Sequence, residues 1–95
     1  MFVIMVHYIK PLEEIDKHLE AHRGFLDDGY KAGIFLASGP RIPRTGGVIL
    51  AQAASLEELM TFMNKDPFNL AGAATYEFVE FTPLKFDPRL KQILK

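Results

Sequence analysis

The stretch that most constrains this chain is its opening, "FVIMVHYI", residues 2 to 9. It is dense in β-branched and aromatic residues, which favours an extended strand. Side chains on a strand alternate between two faces. Phe2, Ile4, Val6 and Tyr8 make one face; Val3, Met5 and Ile9 make the other, with His7 the exception. A strand apolar on both faces has to be buried on both sides.

The rest of the chain supplies the cover. From Pro11 to about Asp28, Leu12, Ile15, Leu19 and Leu26 recur at helical spacing, and Gly29 supplies a stop, so an amphipathic helix is expected. "GIFLASGP" (33 to 40) is a second strand, "RIPRTG" (41 to 46) a loop, and "GVILAQAA" (47 to 54) a third strand, hairpin-paired with the second. Ser55 and Glu58 have capping-box spacing and open a second helix, with Leu56, Leu59, Met60, Phe62 and Met63 as its apolar set. "ATYEFVEFTPL" (74 to 84) reads as a fourth strand, and "DPRLKQILK" (87 to 95) as a short C-terminal helix.

The order β-α-β-β-α-β predicts a ferredoxin-like α+β sandwich. Both helices then lie on one face of the sheet and leave the other bare. Since the first three strands are apolar on both faces, a monomer would expose a contiguous apolar patch larger than soluble monomers tolerate. A second copy packed sheet to sheet covers it, so a two-fold homodimer is expected.

Ninety-five residues make one domain, with 1 to 86 as its core and 87 to 95 as an extension. The composition, 48% hydrophobic and 24% charged, is that of a packed globular chain. A net charge of -1 carries no basic footprint for nucleic acid. Without cysteine there is no disulfide, thiolate nucleophile or cysteine-bearing metal site. The apolar opening is interrupted by His7, Lys10 and Pro11, too short for a membrane span, and it lacks the marks of a signal peptide. A soluble cytoplasmic protein is expected.

Candidate chemistry starts in the first helix. At 100° per residue the four aliphatic positions fall in a stripe about 60° wide, and His22 falls at its edge, in line with Ile15. A buried imidazole needs a partner. His22 is therefore either a core-edge histidine bonded to a backbone carbonyl or a proton-transfer group lining a pocket. His18 lies four residues before it, a spacing able to hold a metal, but no third ligand follows, so no metal site is expected. In "NKDPFNLAG" (64 to 72), Asp66 precedes a proline and reads as the N-cap of a single turn ended by Gly72. Asp87-Pro88 repeats the same dipeptide. Arg41 and Arg44 stand in the loop after "SGP", where they are either solvated charges or attract an anionic ligand, and Ser38 ends the second strand.

Four segments together resemble the YciI-like (YCII-related) family of small dimeric α-β barrel proteins. They are "FVIMVHY", "HRGFLDDGYKAGIFLASGP", "SLEELMTFMNKDPFNLAG" and the closing aromatic-rich strand ending in Pro83. The likeness covers Met1 to about Phe86. It implies that His22 and Asp66 form a pair facing one cavity in each subunit, with the subunits joined through their sheets. It further implies general acid-base chemistry on a small organic ligand, without metal or cofactor, as isomerisation or elimination on a small cyclic or unsaturated acid. In that setting His22 moves the proton, Asp66 orients it, and Ser38 and Arg41 are expected ligand contacts. The alternative is a non-catalytic binding or accessory module that uses the same pair to position a ligand.

Overall fold

A computed structural model describes residues 1–94. The opening strand, β1 (Phe2–Tyr8), lies inside a four-stranded sheet between β3 (Gly46–Ala51) and β4 (Ala74–Glu80). With β2 (Phe35–Pro40) at the far edge the order is β2-β3-β1-β4, and every pairing is antiparallel. This is the ferredoxin-like arrangement expected from the element order. Strand alternation sorts the side chains. Phe2, Ile4 and Val6 are at most 2% exposed and join Phe35 and Ile49 in the core. Val3, Met5 and His7 project to the opposite face and are half-buried.

Helices supply the other half of that core. Ile15 comes from α1 (Leu12–Lys17), Phe25 from α2 (Leu19–Lys31), Leu59 and Met63 from α3 (Leu56–Met63), and Phe68 from α4 (Pro67–Leu70). All five sit in one cluster with the even-numbered residues of β1, so the helices share one side of the sheet. The shortest extent of the molecule, 19 Å, is that of one helix layer on one sheet. The opposite face, with Val3 and Met5 in register with Leu50 and Val48, has no second layer among the described residues.

Several boundaries differ from the sequence reading. The first helix is two: at His18 (φ -108°, ψ 1°) the ladder tightens to a bond from His18 N–H to the Ile15 carbonyl, and α2 starts afresh at Leu19. Gly29 does not stop α2. It is buried inside the helix, where its missing Cβ admits the Phe35 ring. The stop is Gly33 (φ +74°), where Ile34 N–H bonds back to the Gly29 carbonyl and Gly33 N–H to that of Tyr30, a Schellman ending that needs the left-handed conformation. Gly72 (φ +63°) closes α4 in the same way, as expected. The third strand ends at Ala51 rather than 54, and the fourth at Glu80 rather than 84. In the C-terminal segment, Asp87 caps one 3₁₀ turn, Pro88–Leu90, a shorter element than the helix expected over 87 to 95; Lys95 lies outside the described residues.

Candidate active site

The site is built at the ends of helices. Asp66 stands where α3 has finished and Pro67 forces a new start, and its Oδ1 accepts the Phe68 N–H at 3.1 Å, the cap its position predicts. A cap needs only one acceptor, and caps are ordinarily wet. This one is 0% exposed, a buried carboxyl group in the core of the domain. Its remaining valences are met by two side chains from distant elements. His22 Nδ1, from the first turn of α2, lies 2.7 Å from Oδ1, and the Tyr76 hydroxyl, from β4, donates to Oδ2 at 2.6 Å. Among the described residues no buried side-chain polar atom lacks a partner.

Both carboxyl oxygens also accept, from Phe68 N–H and Tyr76 O–H, an arrangement that suits an N–H at Nδ1 and leaves Nε2 outside the contact with Asp66. The ring is fixed from a second direction by Phe68, which stacks on it with centroids 4.0 Å apart and planes 14° from parallel. The residue that receives the backbone end of the cap thus also forms the platform for the histidine. With 12% of its side chain exposed, His22 borders the interior without being sealed in it. Tyr76 is held in its neutral form, its pKa raised well above the ordinary phenol range, first by burial and second by the Asp66 carboxyl it donates to.

A cavity of about 340 Å³ opens beside this group, bordered by His22, Phe68, Tyr8, Ser38, Arg23 and Arg44. The expected residues divide cleanly. His22 and Asp66 are brought into contact. Ser38 reaches the cavity wall, its Oγ 2.7 Å from the Tyr30 hydroxyl. Arg41 does not reach it: its Nη1 lies 3.4 Å from His7 Nδ1, and His7 Nε2 in turn lies 3.5 Å from Glu77 Oε1. The hairpin instead delivers Arg44 to the cavity, held by a 2.6 Å bond from Nη2 to Asp16 Oδ1. Tyr76 was missed. Its signal was present, since alternation along β4 places it with Ala74 and Phe78, and a tyrosine on a core-facing position needs a partner for its hydroxyl. Among the described residues no three metal-ligating side chains converge.

Comparison with known proteins adds three findings. No curated protein matches the chain. The solved structure of 5-chloro-2-hydroxyhydroquinone dehydrochlorinase from Burkholderia phenoliruptrix, in complex with 2,5-dihydroxybenzoquinone, matches with a TM-score of 0.72. The match covers 86% of this chain and 94% of that one at 20% identity, which is a likeness of fold. The family model described as a YCII-related domain matches residues 1–82, the whole sheet and all four helices. The chain therefore belongs to the YCII-related family.

Proposed function

We propose that this protein is an enzyme that moves a proton on a small organic molecule with its own side chains, in an isomerase- or lyase-like reaction. The observation that carries the reading is the 2.7 Å contact between His22 Nδ1 and Asp66, on a ring that borders the cavity. Nδ1 is committed to the carboxyl group, so Nε2 is the basic atom. When Nε2 takes a proton from a substrate carbon, the positive charge formed on the ring lies against Asp66, which stabilises it. The C–H electron pair then either moves along the substrate, which takes the proton back elsewhere, or forms a double bond as an anionic leaving group departs. Tyr76 supports the step indirectly: by donating to Oδ2 it holds the carboxyl plane that holds the imidazole. A dehydrochlorinase of the same fold performs a reaction of the second kind, which supports the class without naming the substrate.

The reading includes a homodimer. Val3, Met5, Val48 and Leu50 form an apolar row on the sheet face away from the helices, and a second copy of the chain is the partner that row fits.

The test is a thermal-shift screen of small carboxylic and phenolic compounds against wild type and His22→Ala, followed by product analysis of the hits. Hits selective for the wild type that are turned over, with turnover falling by about 10²-fold or more in His22→Ala, support the reading. Selective hits that are bound and returned unchanged would make the protein a binding module.

A further inference from the structure

The β2–β3 loop sends its two arginines in different directions. Arg41 leaves the cavity for His7, while Arg44 joins Arg23 at the cavity wall. No aspartate or glutamate borders that cavity among the described residues, and its other walls include Val6, Leu26, Ile49 and the Phe68 ring. Arg23 and Arg44 border that space while Asp16, the carboxylate paired with Arg44, lies outside its lining, so the wall carries a positive bias that a neutral guest leaves uncompensated. Nor is Arg44 a loose surface charge. Asp16, on α1, holds its Nη2 at 2.6 Å. With the Tyr8 hydroxyl as a second partner, the five N–H donors of the guanidinium are only partly used, so some remain to offer to a carboxylate. A volume of about 340 Å³ is near the lower end of ligand pockets, room for a single ring or a short unsaturated chain.

We propose that the cavity takes a flat organic monoanion whose carboxylate is held by Arg44, and that Asp16 is the positioning residue that aims the guanidinium. The proposal deepens the acid-base reading and rests on it for the identity of the site. It also sets polarity: with the anion anchored at Arg44, the apolar body of the ligand is left to lie against Phe68 and His22. A cation fixed at one end of the cavity further favours any step in which His22 removes a proton and leaves negative charge on the substrate.

Titration of the isotopically labelled full chain by NMR tests this with three probes: benzoate, benzyl alcohol and inorganic phosphate. Benzoate is expected to shift the Arg44, His22 and Phe68 resonances saturably, and benzyl alcohol to bind about tenfold more weakly. Added sodium chloride weakens benzoate and spares the alcohol. Arg44→Gln loses about tenfold in benzoate affinity with benzyl alcohol unchanged, and Asp16→Asn about threefold. Arg41→Gln, which removes the same charge from the same loop, leaves benzoate binding intact. The assignment is overturned if benzoate does not bind or binds no better than the alcohol. It is equally overturned if phosphate shifts the same residues as strongly, or if Arg41→Gln costs as much as Arg44→Gln. Salt-sensitive benzoate binding that survives in His22→Ala supports the subsite even where catalysis by His22 has been disproved. Loss of charge selectivity, with His22 still sensing the ligand, overturns the subsite and leaves the acid-base reading standing.

Discussion

At the scale of single residues, Asp66 and Asp87 form a natural pair of experiments. Both precede proline and both cap the turn that follows, through bonds to Phe68 N–H at 3.1 Å and Arg89 N–H at 2.8 Å. Asparagine caps about as well as aspartate. Asp87→Asn, at an exposed position, is therefore expected to leave the urea midpoint unchanged. At Asp66 the side chain must accept from three donors while fully buried, and an amide offers one accepting oxygen and one NH₂ group. Asp66→Asn is expected to cost about 1–3 kcal/mol in urea unfolding and to redistribute the His22 proton between Nδ1 and Nε2, read from imidazole ¹⁵N shifts. An unchanged tautomer would break the proposed link between the two residues. Tyr76 gives the third case. Its phenol holds its proton above the ordinary range, whereas in the unfolded chain it ionises near pH 10. The contribution of Tyr76 is thus fully present below about pH 10; above it, the unfolded state binds fewer protons than the folded one and stability falls with rising pH. Tyr76→Phe is expected to flatten that alkaline decline while costing about 1–3 kcal/mol at neutral pH, because Asp66 loses a donor.

At the scale of elements, the glycines separate two effects of opposite sign. A Cβ on Gly46 would fall on the Val6 carbonyl and within 3.3 Å of His7 Cα, backbone atoms that have nowhere to swing. Gly46→Ala is expected to destabilise by about 1–3 kcal/mol and to raise amide exchange at Tyr8, whose N–H bonds to the Thr45 carbonyl at 3.0 Å. Gly24 is exposed in α2, and an added Cβ there meets nothing within 4 Å. Gly24→Ala is expected to stabilise by about 0.5–1 kcal/mol through helix propensity alone, with both shifts read from denaturation curves. What was legible in the sequence followed the same division between local and distant causes. The strands, the Ser55 cap and the Asp66 cap are dictated by alternation and by neighbours within four residues, so they could be read directly. The break at His18 has no glycine or proline to announce it. Arg41 and Arg44 are three residues apart on one loop, and which of them meets the cavity depends on how the hairpin folds back. Tyr76 meets Asp66 because β4 pairs beside β1 in one register, Val6 opposite Tyr76, which no local pattern encodes.

At the scale of the whole molecule, the open sheet face makes the sharpest prediction. If a second copy covers Val3, Met5, Val48 and Leu50, light scattering at micromolar concentration returns twice the 10.7 kDa chain mass, and Leu50→Glu returns the single mass with an unchanged far-UV spectrum. A wild-type monomer would leave that face without the partner proposed for it. The His22–Asp66–Tyr76 cluster has a further consequence, one of timing. Its members are separated by 44 and then 10 positions, and the last of them sits on the strand that completes the sheet. As the chain leaves the ribosome, the helix bearing His22 is made early, the carboxyl group it contacts comes much later, and the hydroxyl that donates to that carboxyl group follows last. An unfinished chain therefore holds an unpartnered histidine, and the cluster is complete only once β4 has joined the sheet.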